Sequence, residues 1–173
     1  MSTAVLVMGV SASGKTVVGS ALAEKLGWTF VDADDHHPAA NVEKMSAGVP
    51  LTDTDRAPWL DTLNGIIRDH QERDDDLVLA CSALKRAYRE QLAEGVDDLR
   101  VVLLDIAPDV AVERIHDRRG HFMPSALLDS QYATLERPDE TEICSDSGIT
   151  SVLVVDAARP VDALVDELVE KLT

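Results

Sequence analysis

The eight residues Gly9-Val10-Ser11-Ala12-Ser13-Gly14-Lys15-Thr16 constrain this chain more than any other stretch. Their spacing is G-x-x-x-x-G-K-[ST], a loop that cradles phosphate groups when a strand runs into it and a helix runs out of it. Both flanks are present. Ala4-Val5-Leu6-Val7-Met8 is an apolar run suited to a buried strand, and Val17, Val18, Ala21, Leu22, Ala23 and Leu26 recur at helical spacing before Gly27 stops them. Gly9 and Gly14 permit a close backbone approach that a side chain would block. The loop amides and the helix N-terminus then face an anion, with Lys15 bringing positive charge to the terminal phosphates and the Thr16 hydroxyl placed for Mg²⁺. All eight residues are therefore expected to bind nucleotide, Lys15 to be catalytic and Thr16 to be a metal ligand.

The alternation begun here continues. Further strands are predicted at Trp28–Asp32, Leu77–Cys81, Arg100–Asp105 and Ser151–Asp156. Between them lie helical stripes: Pro38 to Met45; Ala57, Leu60, Leu63, Ile66 and Ile67 behind a Thr52 N-cap with Asp55 three residues on; Leu84 to Leu92; Pro108 to Arg119; Leu127 to Leu135; and Val161 to Leu172. The stretch Asp139–Gly148 is polar, acidic and irregular. This pattern predicts an α/β fold, a three-layer sandwich around a five-stranded parallel sheet, with ligands beyond the C-terminal strand ends. The 173 residues fit one domain, without repeats or an internal linker.

Charge narrows the partners. There are 32 acidic and 16 basic residues, a formal net charge of −16, which argues against nucleic acid and anionic membranes. A locally basic pocket for a small anion is still allowed. Cys81 and Cys144 show no metal spacing and fit a reducing cytoplasm. The first apolar run is too short for a signal peptide, and no run approaches a membrane span.

Asp32, Asp105 and Asp156 each end a strand, and periodicity does not choose among them as an acid beside the phosphate loop. Asp32 has the better company: with Asp34 it offers two carboxylates, one for Mg²⁺ and one to accept a proton from an attacking hydroxyl. His36 and His37 lie beside them, and zinc is a weaker reading than oxygen-ligated Mg²⁺. Arg114, Arg118 and Arg119 concentrate positive charge in an acidic protein, at a helix end that leads into a Gly loop. They suit a lid whose arginines reach phosphates, and they also suit the helix dipole. Lys44, Arg56, Lys85 and Arg89 follow loops at the same sheet edge; taken singly, each reads as a surface residue. Ser82, directly after a strand, is placed for polar substrate contact.

At this point the chain resembles the small bacterial-type gluconokinases, relatives of shikimate kinase and the nucleoside monophosphate kinases. The resemblance covers nearly the whole chain. It rests on Gly9–Thr16, Asp32-Ala33-Asp34 through His37-Pro38, Asn41–Met45, the run Gly48–Leu60, Cys81-Ser82-Ala83-Leu84-Lys85, Tyr88-Arg89, Arg119-Gly120-His121-Phe122 and Ser130-Gln131 through Leu135-Glu136. It implies transfer of the ATP γ-phosphoryl group to the 6-hydroxyl of D-gluconate, a substrate-binding segment over about 38–73, a lid over about 118–125, and a homodimer. It makes Asp34 the candidate base and Asp32 the Mg²⁺-side acid, with Lys15, Arg118 and Arg119 also catalytic and Arg114 and Arg118 on ATP. His37, Lys44, Arg56, Ser82, Lys85 and Gln131 could supply cations and hydrogen bonds to a carboxylate-bearing polyol, Arg56 first because a guanidinium fork fits a carboxylate. Ala12 and Ala33 stand where the family often has Gly; Ala fits at either place unless the backbone there needs positive φ.

Two other kinds of kinase remain open, for shikimate and for nucleoside monophosphates. A GTP switch would carry an Asn/Thr-Lys-x-Asp signature, which is absent, and a nucleic-acid ATPase conflicts with the charge.

Overall fold

The computed structural model describes residues 1–117, 125–144 and 146–173. Five strands, β1 (Ala4–Met8), β2 (Thr29–Asp32), β3 (Leu77–Ala80), β4 (Leu99–Asp105) and β5 (Ile149–Asp156), form one parallel sheet in the order β2-β3-β1-β4-β5. The helices are α1 (Lys15–Leu26), α2 (Ala39–Ser46), α3 (Asp53–Glu72), α4 (Arg86–Ala93), α5 (Pro108–Asp117), α6 (Ser125–Thr134) and α7 (Val161–Leu172). Short 3₁₀ turns occupy Ala33–His36 and Glu140–Glu142. None of the described helices is long and apolar enough to cross a membrane.

Period-two side chains explain the three layers. Ala4, Leu6 and Met8 of β1 face one way and meet Leu60 and Leu63 of α3 and Leu92 of α4. Val5 and Val7 face the other way and meet Val18 and Leu22 of α1 and Leu164 and Leu168 of α7. Each such aliphatic side chain contributes about 1.5–3 kcal/mol on burial. Burial on both faces holds for the inner strands. The edge strands β2 and β5 are partly open, with Val154 about half exposed.

Chain order reverses at β1, which pairs with β3 on one side and β4 on the other. The loop after β1 therefore enters the crevice where ligands of open α/β sheets bind. The predicted Thr52–Asp55 capping box is present and starts α3. Gly27 closes α1 at φ 73°.

Two expectations change. Arg89 is fully buried rather than at the surface, and the acidic stretch after Asp139 is not irregular throughout. Its 3₁₀ turn sends a buried Glu142 to Arg89, whose Nε lies 2.8 Å from Glu142 Oε2. Arg89 also donates to the Ala83 and Glu136 carbonyls at 2.8 and 2.9 Å. One guanidinium thus ties α4, the loop after β3 and the segment after α6 together. Gly148 allows the chain to close this turn: at φ 72°, a Cβ there would fall 2.4 Å from the Val96 carbonyl oxygen.

Candidate active site

The phosphate side is made mostly of backbone. Gly9 has φ 151°, and a Cβ on it would lie 2.7 Å from Ser13 Oγ and 3.0 Å from the Leu104 carbonyl oxygen. Gly14, at φ 94°, precedes α1 and supplies no side-chain cap, and a helix start of this kind suits an anion. The Ser13 hydroxyl is buried and finds no hydrogen-bond partner among the described residues. Lys15 Nζ donates to the Val10 carbonyl at 3.1 Å, across the mouth of the loop. Ser11, Gly14, Lys15, Thr16, Asp32 and Asp34 line a cavity of about 150 Å³, with Cys81 at its wall. Burial pushes the Cys81 thiol up to about 12, so it stays protonated there. Ala12 adopts φ 66°, so the position where Gly is common does need positive φ, and Ala bears a left-handed strain of about 1–2 kcal/mol. Ala33, buried in a 3₁₀ turn, needs none.

The three strand-end aspartates now separate. Asp105 is held by both guanidinium nitrogens of Arg137, at 2.8 and 2.9 Å, which keeps its carboxyl below the usual range. Asp156 accepts from the Ala158 amide at 2.9 Å. Asp105 is thus taken up by a distant side chain and Asp156 by its own turn. Asp32 instead accepts from Thr16 Oγ1 at 2.9 Å, and its other oxygen takes the Asp34 amide at 3.0 Å. A hydroxyl and a carboxylate side by side at the phosphate cavity are the hard oxygen donors Mg²⁺ prefers. Among the described residues no group of three or more His, Cys, Asp or Glu could hold a metal on its own.

Helices on either side of residues 118–124 reach the loop from two sides. Arg114 of α5 donates to the Ala12 and Ser13 carbonyls at 3.3 and 3.5 Å and to the Ala157 carbonyl. Gln131 of α6 takes the Ser11 amide at 2.7 Å and donates to Ser11 Oγ at 3.0 Å. Gln131, expected on the acceptor side, thus bonds to the phosphate loop in this structure. Arg118, Arg119 and nearly all of the expected lid lie outside the described residues.

The acceptor side is made of side chains. His37 stacks on Trp59 with ring centroids 4.1 Å apart, and Trp59 Nε1 donates to the buried Ala33 carbonyl at 2.8 Å. His37 Nε2 stands 4.0 Å from Asp34 Oδ1, and Asn41 Nδ2 lies 3.5 Å from its Nδ1. Burial, opposed by Asp34 and reinforced by Arg56, lowers the His37 pKa and favours the neutral ring. Lys44 has another task than the one expected: its ammonium grips both Asp55 oxygens at 2.8–2.9 Å, bracing α2 against the start of α3. Lys44, with the Thr52 amide, draws the Asp55 carboxyl down to about 2. Arg56 donates to the Leu51 carbonyl at 2.9 Å and reaches Tyr88 Oη at 3.4 Å. Lys85, just before α4, lies 3.3 Å from both Asp53 oxygens. The Ser82 carbonyl accepts from the Gly9 amide at 3.4 Å, which joins the two sides of the crevice.

A family model described as an AAA domain matches residues 5–138. A gluconokinase of Gluconobacter oxydans is 45% identical, with 95% of this chain and 88% of the relative aligned. A probable gluconokinase of Xenopus tropicalis is also 45% identical, over 95% of this chain and 90% of its own length. The chain belongs to the gluconokinase family. A solved gluconokinase from Sinorhizobium meliloti has a TM-score of 0.81 at 39% identity, covering 98% of this chain and 95% of that one. A sugar kinase from Janibacter sp. has a TM-score of 0.89 at 38% identity, covering 99% and 95%. Shikimate kinase from Bacteroides thetaiotaomicron, at 16% identity and TM-score 0.62, shares the fold.

Several residues of this gluconokinase-family site escape a sequence reading. Asp53, Trp59 and Tyr88 belong to motifs of the family resemblance and Asp55 to the capping box, but none of them is expected at the site from the sequence. A signal for two of them exists: Asp53 and Arg56, and Lys85 and Tyr88, are each three apart at a helix start, where side chains share a face. For Arg89 and Glu142, 53 positions apart, no local signal exists.

Proposed function

We propose that this protein phosphorylates the 6-hydroxyl of D-gluconate with ATP. The carrying observation is the juxtaposition of Asp34, at the phosphate cavity, with the cationic cluster of Arg56 and Lys85 through His37. Gluconate is a polyol with a carboxylate at one end and its one primary hydroxyl at the other, and the two ends of this site match them. The loop amides and Lys15 hold the ATP phosphates. Thr16 and Asp32 would hold Mg²⁺, which when bound neutralises phosphate charge and orients the terminal phosphoryl group.

Asp34 accepts the hydroxyl proton as the gluconate oxygen forms its bond to the γ-phosphorus. The bond from that phosphorus to the bridging oxygen breaks, and ADP leaves with the electron pair. The transition state is loose, so positioning weighs more than basicity in what Asp34 contributes. Arg118 and Arg119 complete the reading as lid arginines that balance transferred charge, and Arg114 is fixed on the loop itself. A homodimer and a cytoplasmic setting belong to the same reading. Family resemblance supports the first, and the free thiols of Cys81 and Cys144 support the second.

A coupled assay of ADP formation with D-gluconate, shikimate and nucleoside monophosphates tests the proposal. Gluconate turnover, with a phosphoester at C6 seen by NMR, is expected. Shikimate turnover without gluconate turnover overturns it.

A further inference from the structure

Three donors of the acceptor side converge on a carboxylate that the protein itself supplies. Tyr88 Oη donates to Asp53 Oδ1. Lys85 Nζ lies 3.3 Å from both Asp53 oxygens, and Arg56 Nη1 lies 3.8 Å from Oδ1. Both cations also sit over the Tyr88 ring, 5.7 and 5.6 Å from its centroid. The donors come from α3 and from the start of α4, and each cation is roughly two-thirds buried, with 31% and 34% of its side chain exposed. Two cations and a phenol around one carboxylate are what recognition of a ligand carboxylate requires.

Asp53 is a loosely held occupant. Its side chain is 66% exposed, and these three residues supply its side-chain donors. Exposed ion pairs of this kind contribute little net stability and exchange partners readily. Asp55, two residues on, is the opposite case. It is 19% exposed, gripped by Lys44 on both oxygens and bonded to the Thr52 amide as half of a capping box. Asp55 is part of the scaffold, whereas Asp53 occupies a site that another carboxylate could fill.

We propose that Arg56, Lys85 and Tyr88 form the recognition site for the substrate carboxylate, and that Asp53 is an internal stand-in displaced when that carboxylate arrives. The proposal rests on the reading of this chain as a kinase of a sugar acid. Exchange of one carboxylate for another never leaves the two cations bare. A neutral polyol gains nothing equivalent, because expelling Asp53 would strand both charges. The stand-in therefore weakens gluconate binding somewhat and weakens binding of uncharged sugars more.

Asp53→Asn removes the competing charge and keeps the shape. The KM for gluconate is expected to fall roughly two- to fivefold, the size of an exposed ion-pair effect, while the KM for ATP stays unchanged. An unchanged or raised KM for gluconate overturns the exchange. Gluconate turnover by the unmodified enzyme is the control. Its absence would sink the sugar-acid reading itself, whereas turnover with an unmoved KM in the variant sinks the exchange alone. Should the variant fail to fold by circular dichroism, a crystal structure of the unmodified enzyme with D-gluconate decides. Gluconate oxygens on Arg56 and Lys85, with Asp53 turned away from Tyr88, support the exchange; Asp53 still bonded to Tyr88 contradicts it.

Discussion

The two sides of this crevice are built from different materials. The phosphate side is backbone: glycines at 9 and 14, a helix start left uncapped by any side chain, and carbonyls that hold Lys15 and Arg114 in place. The acceptor side is built of side chains from α2, α3 and the start of α4, in which Lys44 pairs with Asp55, and Arg56, Lys85 and Tyr88 gather on Asp53. A backbone cradle is specified by a few residues at fixed spacing and binds any polyphosphate. A side-chain mesh is specified by pairings distant in sequence, and it selects one acceptor. On the proposed reading, the first gives the site its chemistry and the second its specificity.

This comparison breaks most severely where the mesh is anchored. Arg89→Met leaves Glu142 buried and unpaired and should cost about 3–5 kcal/mol, a fall in Tm of roughly 6–20 °C in a thermal melt. Adding Glu142→Leu should recover much of that loss. If Arg89→Met alone is neutral, the buried pair does not hold the segment after α6 to the substrate side.

On the phosphate side, Lys15→Ala should lower kcat by about 10²–10³-fold, the usual effect of removing one preorganised charge donor. The KM for gluconate should barely move if the two sides are independent. A parallel loss of gluconate affinity would mean that they are coupled.

A smaller effect separates the sides by pH. His37 titrates below its unfolded value of about 6.5, with burial as the first cause. As pH falls below that value the unfolded chain takes up the proton first, so the stability from neutral His37 is complete above about 6.5 and is lost as pH drops through the folded pKa. His37→Phe, which keeps the stack on Trp59, should flatten this part of the Tm-against-pH curve. The smallest effect belongs to Ala12→Gly. It relieves the φ of 66° but loosens the unfolded chain, a net gain of about 0.5 kcal/mol and roughly 1–2 °C in Tm.

The same contrast explains how much was legible in the sequence. Gly9 to Thr16, the five strands and the Thr52 capping box are local patterns, and each appears where its spacing places it. Periodicity alone does not choose among Asp32, Asp105 and Asp156; the neighbouring Asp34 favours Asp32, and the structure adds that Arg137 and the Ala158 amide occupy the other two. The cations Lys44, Arg56 and Lys85 were visible, but not their partners, because Lys44 and Asp55 are 11 positions apart and Lys85 and Asp53 are 32 apart. Arg89 was misplaced at the surface for the same reason, its counterion lying 53 positions away. Ala12 shows the limit of local reading: the sequence raised the question of positive φ there, and only the backbone answered it.

The central claim is that side-chain charge on the acceptor side selects a polyol ending in a carboxylate. Comparing kcat/KM for D-gluconate with that for D-glucitol, its uncharged counterpart, in the unmodified enzyme tests this most directly. A site that leaves paired groups stranded by the wrong ligand should prefer gluconate by at least about 10³-fold. Equal values for the two polyols, or a preference within about tenfold, would contradict the account.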